Sequence, residues 1–217
     1  MKVKSVSSHI LRVPLGRQNF YSSQAAFPER NSCLVRVETD TGLIGWGEGG
    51  QYGPPEPVAA CVDAVLAPQL IGRDPTEPVR IWEELYAFSR DFGQKGTYVE
   101  AISAIDIALW DTSGQAAGLP VWKLLGGRFR DCITAYATGC YYPEDFGDMP
   151  AVLRGLEWEA ASYAESGFPF LKIKVGLLSL ADDIERLRVI REAVGPRIGL
   201  RHAFSLCIEN EGSAIEH

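Results

Sequence analysis

The chain has 217 residues, of which 46% are hydrophobic and 23% are charged, and its formal net charge is −7. This composition is that of an ordinary globular protein, long enough to bury a proper core in one large domain or two modest ones. The acidic balance argues against nucleic acid or an anionic membrane surface as a partner, although a local group of lysines can still hold a small anion.

Cysteine usage and the first residues favour a reducing compartment. The five cysteines are an odd number without a Cys-x-x-Cys pair, so we expect free thiols rather than a disulfide framework. The three histidines do not approach zinc-ligand spacing. The opening residues lack the apolar stretch of a secretory signal, and no segment reaches the ~18–20 apolar residues of a membrane span. We therefore expect a cytoplasmic protein.

The sequence patterns in the first part of the chain predict strands followed by helices. Thr39-Asp40-Thr41-Gly42 separates two β-rich runs and is a good hairpin signal. Apolar residues then recur at helical spacing in three segments. We predict strands at 2–13, 33–38 and 43–48, and helices at 57–70, from about 74, and at 98–113. This order predicts an α+β domain, which we place at residues 1–126.

Two loops interrupt this domain. The segment from Pro14 to Asn31 contains Phe20 and Tyr21, and a second loop rich in glycine and proline contains Tyr52. A long loop inside a compact domain is usually functional or disordered. For the first loop, a lid over a site and a floppy excursion are therefore both open alternatives.

The pattern changes near Gly126-Gly127. Strands are predicted at 132–138, at 170–175 and from 197, and helices at 150–166 and 179–194. This βαβα alternation predicts a parallel sheet or barrel in residues 127–217. A closed TIM-type barrel needs eight such units in ~200 residues or more, so we expect only its first part here.

The predicted strand 170–175 carries two lysines. Side chains alternate along a strand, so Lys172 and Lys174 point one way while the apolar residues beside them point the other. In a barrel both amines would face the axis, where each lowers the pKa of the other and makes a base near neutral pH. The alternative is the water-exposed face of an antiparallel strand.

Several motifs occur in a fixed order along the chain: Gly-Trp-Gly-Glu at 45–48, Leu-Ile-Gly-Arg-Asp-Pro at 70–75, Ile-Asp-Ile-Ala-Leu-Trp-Asp at 105–111, Leu-Leu-Gly-Gly at 124–127 and Lys-Ile-Lys at 172–174. Together they resemble the mandelate racemase/muconate lactonizing enzyme family of the enolase superfamily, over nearly all of residues 1–200. Further motifs, including Gly-Gln-Lys-Gly at 93–96 and Ala-Tyr-Ala-Thr-Gly at 135–139, look most like galactarolactone cycloisomerases and acid-sugar dehydratases.

The resemblance implies a capping domain whose loops, here about 15–32 and 49–55, close over a (β/α) barrel. Phe20, Tyr21 and Tyr52 are the candidates on these loops for contact with substrate. It also implies that Lys174 removes a proton α to a carboxylate, while Lys172 lowers the pKa of Lys174 and helps to hold the substrate carboxylate. Mg²⁺ stabilises the resulting enediolate in this superfamily.

The sequence departs from the family pattern at the expected metal site. The resemblance implies an Asp-Ala-Asn motif shortly after Gly199-Leu200, but the chain continues Arg201-His202-Ala203-Phe204. We interpret the remaining candidate acids as solvated rather than as a metal cage; they are Asp182, Asp183, Glu185, Glu209, Glu211 and Glu216. We therefore predict no metal ligands and no tight Mg²⁺ binding in this chain, and no turnover by these 217 residues alone.

Three functions stay open at this point. The first is a Mg²⁺-dependent racemase, dehydratase or cycloisomerase acting on a small hydroxy acid or acid sugar. The second is a non-catalytic, truncated member of the family. The third is a metal-free module that binds small anions through Lys172 and Lys174. Assembly into a homo-oligomer is also left open.

Overall fold

The structure of the protein is a computed structural model that describes residues 1–15, 20–21, 26–50, 53–143 and 146–204. Its strands are β1 (Val3–Pro14), β2 (Phe20–Tyr21), β3 (Ala26–Phe27), β4 (Glu29–Thr39), β5 (Ile44–Gly49), β6 (Ala137–Thr138), β7 (Phe170–Val175) and β8 (Gly199–Phe204). Its helices are α1 (Glu56–Ala60), α2 (Ala67–Leu70), α3 (Pro78–Ser89), α4 (Thr97–Ala117), α5 (Val121–Leu124), α6 (Met149–Glu165) and α7 (Leu180–Val194), with a π-helical segment at Cys61–Leu66.

The chain divides into two compact units. The first comprises Met1–Val13 and Arg30–Asp131, and the second comprises Pro14–Glu29 and Cys132–His217. The boundary near Gly126-Gly127 stays a prediction. Across the described ranges, no helix is both long and apolar enough to cross a membrane.

The first unit contains a sheet with the strand order β1-β4-β5. Strands β4 and β5 pair antiparallel from Cys33 opposite Gly49 to Glu38 opposite Ile44. The predicted hairpin turn is confirmed, and Gly42 closes it at φ 87°, a conformation that glycine adopts without steric cost.

Helix α4 is the centre of this unit. Its buried residues include Ala104, Ile105 and Ala108, and Gly118 ends it in the left-handed conformation at φ 63°. Strand β5 lies directly against it: a Cβ added to Gly47 would be 1.9 Å from the Ala104 carbonyl oxygen. The Trp46 amide donates to the Asp111 carboxylate over 2.9 Å, which further joins the strand to the helix.

The helix predicted at 57–70 forms as α1, the π-helical segment and α2 in series. Pro68 explains the wider turn. Proline has no N–H, and its ring would clash with the carbonyl four residues earlier in a regular α-helix. In the π-helical segment the Ala67 amide instead donates to the Val62 carbonyl, five residues back.

The long loop predicted at residues 14–31 contains regular structure. Strands β2 and β3 pair antiparallel, with Phe20 opposite Phe27 and Tyr21 opposite Ala26. The Leu15 amide donates to the Pro28 carbonyl over 3.0 Å, which closes the base of this hairpin.

The second unit contains a parallel sheet with the strand order β6-β7-β8. Ala137 pairs with Leu171, and β7 pairs with β8 along its whole length, from Phe170 opposite Gly199 to Val175 opposite Phe204. Helices α6 and α7 supply the residues that pack on one face of this sheet. The structure therefore confirms an α+β domain followed by the start of a parallel α/β unit, with no closed barrel among the residues it describes.

Strand β6 is shorter than predicted. We expected a strand at 132–138, but only Ala137 and Thr138 pair. In this register Ala135 would lie opposite Pro169, which precedes β7 and has no N–H to donate to a ladder. The residues before Ala135 would extend past the start of β7 and find no partner there.

Candidate active site

Strand β7 positions the two candidate lysines. Leu171, Ile173 and Val175 are almost fully buried, whereas Lys172 and Lys174 are half-buried on the opposite face. The predicted alternation is therefore confirmed. The alternative of an antiparallel strand is wrong, because β7 pairs parallel on both sides.

Strand β8 brings a third cation to the same face. Arg201 is the direct register partner of Lys172, and opposed residues on adjacent strands point to the same side of a sheet about 4.8 Å apart. The Lys172 Nζ and the Arg201 Cζ each lie 5.9 Å from the Tyr136 ring centroid, and Arg201 also lies 4.7 Å from the Phe170 ring centroid. The face thus combines three cations with two aromatic rings.

These cations have no acidic partner in the described part of the chain. Neither Lys172, Lys174 nor Arg201 forms an ion pair there. By contrast, the exposed Arg188 on α7 pairs with both Glu185 and Glu192.

A buried network lies behind β7. The Arg186 side chain is fully buried and donates to the Asp183 carboxylate over 2.8 Å, to the Cys140 carbonyl over 2.9 Å and to the Lys174 carbonyl over 3.2 Å. Its guanidinium carbon lies 4.0 Å from the Tyr142 ring centroid. One side chain therefore ties α7, β7 and the segment after β6 together.

Asp183 is the acceptor at the centre of this network. Its carboxylate accepts from the Tyr142 hydroxyl at 3.0 Å and from the Gly176 amide at 2.7 Å. The Tyr142 oxygen accepts from the Leu177 amide at 3.1 Å. These bonds fix the turn that follows β7. The interpretation of Asp183 as a solvated acid is wrong: it is 6% exposed because its partners come from two other parts of the chain.

Burial changes the acidity of the neutral groups around the network. It raises the pKa of Tyr142 to about 12 and that of the Cys140 thiol to about 12. Glu159 on α6 accepts from the Cys140 amide at 3.0 Å and from the Tyr163 hydroxyl at 2.8 Å. Burial also raises the pKa of Tyr163. Tyr142, Cys140 and Tyr163 are therefore protonated, neutral structural partners at physiological pH.

Several candidate residues cannot be placed at this face. The backbone of Phe20 and Tyr21 forms β2, but their side chains are outside the described residues, as is all of Tyr52. Glu209, Glu211 and Glu216 also lie outside them. Within the described side chains, no group of three His, Cys, Asp or Glu residues could hold a metal ion.

Comparison with known proteins identifies the family of this chain. Residues 8–126 match the N-terminal domain of the mandelate racemase/muconate lactonizing enzyme family. The chain belongs to this family. The match covers more than half of the 217 residues and includes the first three of the motifs that precede the Lys-Ile-Lys run, together with the first three residues of the fourth.

Individual relatives extend the match beyond the capping domain. D-galactarolactone cycloisomerase from Agrobacterium fabrum is 38% identical over 200 residues, which are 92% of this chain and 50% of that protein. Arabinonate dehydratase from Saccharolobus solfataricus is 39% identical over 161 residues, which are 74% of this chain and 42% of that protein.

A solved structure is also similar. The crystal structure of the 3,6-anhydro-D-galactonate cycloisomerase from Zobellia galactanivorans matches with a TM-score of 0.79 and 34% identity, over 93% of this chain and 50% of that one. The chain thus spans about half the length of the family members it matches.

Proposed function

We propose that this chain supplies the proton-abstracting base of an acid-sugar isomerase or lyase of the mandelate racemase/muconate lactonizing enzyme family. Lys174 is the base, and Lys172 holds the substrate carboxylate. The observation that carries the proposal is the position of both amines on one face of β7, beside parallel partners and above a fully buried apolar face.

The proposed reaction is a proton transfer from the substrate to Lys174. The neutral Lys174 amine forms an N–H bond with the hydrogen on the carbon next to the carboxylate. The electrons of the broken C–H bond then form the double bond of an enediolate. The Lys172 ammonium contacts a carboxylate oxygen, on which negative charge grows during the transfer.

Arg186 supports this geometry from behind the strand. Its hydrogen bond to the Lys174 carbonyl holds the backbone from which the base projects, and Asp183 holds the next turn through the Gly176 amide. A base must lie within hydrogen-bond reach of the proton it removes, so a rigid strand end favours the reaction.

The Mg²⁺ implied for this family does not fit the residues described. Mg²⁺ takes oxygen ligands, usually carboxylates, at about 2.0–2.1 Å. Strands β7 and β8 contain no acidic residue, and β8 places Arg201 next to Lys172. We therefore propose that the base and the carboxylate clamp belong to this chain, and that these 217 residues alone do not turn over substrate.

The relatives' names support an acid sugar as the substrate class. D-galactarolactone cycloisomerase and arabinonate dehydratase are the relatives named above, and both names refer to sugar acids. We propose a small acid sugar or its lactone for this chain as well. A carboxylate beside a C–H bond is the feature that Lys172 and Lys174 would recognise.

A chimera tests the assignment of the base. Residues 1–200 of this chain are joined to the other half of the Agrobacterium D-galactarolactone cycloisomerase, and exchange of the α-hydrogen is followed by NMR in D₂O with Mg²⁺. We expect exchange that falls about 10²–10⁴-fold in Lys174→Ala, since that is what a positioned acid or base contributes. The matched control is Lys123→Ala, which removes an exposed lysine of α5 and leaves exchange unchanged.

Two outcomes would overturn the assignment. One is a folded chimera without exchange, and the other is a Lys174→Ala chimera that retains it. Circular dichroism establishes folding. If the large chimera does not fold, the segment Phe170–Val175 alone is transplanted into the relative and assayed in the same way. Exchange by the unmodified 217-residue chain would contradict the statement that it is inactive alone.

A further inference from the structure

We propose that Lys172, Lys174 and Arg201 form an anion site that binds a small dicarboxylate without a metal ion. The site shares the lysine face of β7 with the proposed function and so rests on the same strand geometry. It does not depend on proton abstraction, because it requires Lys174 in its protonated form, whereas abstraction requires the unprotonated amine.

The spacing of the cations suits two carboxylates. Lys172 and Arg201 are register partners on adjacent strands, whereas Lys172 and Lys174 are two residues apart on one strand. The backbones of these residues are therefore about 4.8 Å apart across the strands and about 6.6 Å apart along β7. Lys172 and Arg201 stand side by side and can share one carboxylate, and Lys174, two residues further along the same face of β7, can meet a second carboxylate of the same ligand.

The aromatic rings beside Arg201 suit an arginine at this position better than a lysine. Arg201 lies 4.7 Å from the Phe170 ring centroid and 5.9 Å from the Tyr136 ring centroid, within the range of a cation–π contact. A guanidinium held against a ring keeps its in-plane N–H donors available, and their fork matches a carboxylate. Tyr136 also lies 5.9 Å from the Lys172 Nζ, so it contacts both cations of the pair.

Charge balance points to an anion as the ligand. Three cations on one face of two adjacent strands repel one another and attract an anion. In the described part of the chain none of them has an ion-pair partner, whereas exposed arginines elsewhere pair with acids, as Arg80 does with Glu84. A dicarboxylate would neutralise two of the three charges.

Arg201 also reverses the charge expected at this position. The family pattern implies an acidic metal ligand shortly after Leu200, and the chain has an arginine there. A carboxylate at that position would lower the affinity for an anion and raise that for a cation, and an arginine does the opposite. The site is therefore suited to bind the acid directly.

Calorimetric titration of the 217-residue chain tests the site. The probes are galactarate, a six-carbon dicarboxylate, and galactonate, its monocarboxylate counterpart, both in EDTA at low ionic strength. We expect galactarate to bind about tenfold more tightly than galactonate and Mg²⁺ to leave its affinity unchanged. Arg201→Gln should weaken galactarate binding about tenfold, because a charge-assisted pair is lost. Arg201→Lys, which keeps the charge but loses the fork, should fall between.

The matched control is Arg154→Gln. Arg154 is exposed on α6 and has no ion pair within the described residues, so its loss should change galactarate affinity less than twofold. Each variant is compared with the parent chain by circular dichroism. If Arg201→Gln does not fold, Arg201→Lys and Lys172→Gln give the comparison.

Several results would overturn the inference. They are equal binding by the parent chain and Arg201→Gln, binding only in the presence of Mg²⁺, no binding of galactarate, and equal binding of inorganic phosphate. The two proposals fail separately. A chimera that exchanges the α-hydrogen through Lys174, together with a chain that does not bind galactarate, would remove the anion site and leave the base in place.

Discussion

The guanidinium of Arg186 donates a hydrogen bond to the backbone carbonyl of Lys174 over 3.2 Å, from the face of β7 opposite to the lysine amines. The same guanidinium pairs with Asp183 at 2.8 Å. The strand that carries the candidate base is therefore held by a fully buried ion pair. Breaking such a pair on one side leaves an uncompensated charge in the interior.

We expect Arg186→Met to lower the free energy of unfolding of the second unit by about 3–5 kcal/mol, since Asp183 would remain buried without its cation. Urea denaturation followed by circular dichroism measures the loss. Exchange of the Ile173 and Val175 amides reports on β7 itself. The control is Arg188→Met on the same helix, whose pairs are solvent-exposed; its midpoint should not move. Equal effects of the two substitutions would contradict the role given to Arg186.

The Tyr142 hydroxyl should contribute stability that disappears at high pH. Burial raises the pKa of Tyr142 to about 12, above its value of about 10 in the unfolded chain. The folded state therefore favours the protonated phenol, and the contribution is complete below about pH 10 and is lost as the pH rises toward 12.

We expect Tyr142→Phe to cost about 1–2 kcal/mol at pH 8, because Asp183 loses a donor and the Leu177 amide loses its acceptor. The difference between Tyr142→Phe and the parent chain should shrink between pH 10 and pH 12. Urea midpoints measured across this range test it. A difference that stays constant to pH 12 would show that the hydroxyl is not held in its protonated form.

The thiol of Cys132 should react faster than those of the buried cysteines. Cys132 is exposed, whereas Cys33, Cys61 and Cys140 are buried, and burial raises the pKa of Cys61 to about 11 and that of Cys140 to about 12. Because the thiolate is the reactive form, a raised pKa slows labelling further.

The measurement uses Cys207→Ser as the parent, since Cys207 lies outside the described residues. At pH 8 we expect one fast equivalent of a disulfide reagent in the native chain and four in urea. A Cys132→Ser substitution should abolish the fast equivalent. A second equally fast thiol in the native chain would show that one of the three buried cysteines is accessible.

The lysine face could be predicted from sequence because it depends on a local property. Alternation along a strand assigns Lys172 and Lys174 to one side as soon as the strand is recognised. Arg201 could not be paired with Lys172 in the same way, because that requires the register between β7 and β8. In a parallel sheet this register is set by packing of the intervening helix, which a short motif does not encode.

The burial of Asp183 could not be predicted from sequence for a related reason. An acid near the start of a helix is typically solvated and interacts favourably with the helix dipole, and its neighbour Asp182 is indeed exposed and forms a capping pair with Ser179. Asp183 is buried instead, because it accepts a hydrogen bond from Tyr142, which is 41 residues away in the chain. Contacts at that separation are a property of the tertiary structure and leave no local signal.

The Gly-Trp-Gly-Glu motif should be intolerant of any side chain at Gly47, and the structure gives the reason. A Cβ at this position would be 1.9 Å from the Ala104 carbonyl oxygen and 2.8 Å from the Ala108 nitrogen, both backbone atoms of α4. Backbone atoms cannot rotate away, so β5 and α4 would have to separate across the centre of the core of the first unit.

We expect Gly47→Ala to lower the free energy of unfolding of the first unit by about 3 kcal/mol or more. The matched control is Gly50→Ala, just past the end of β5, where an added Cβ meets nothing within 4 Å; it should change stability by less than about 0.5 kcal/mol. Urea denaturation of both variants provides the measurement. If Gly47→Ala were as stable as Gly50→Ala, the strand and helix would not be in the close contact described, and the motif would need a different explanation.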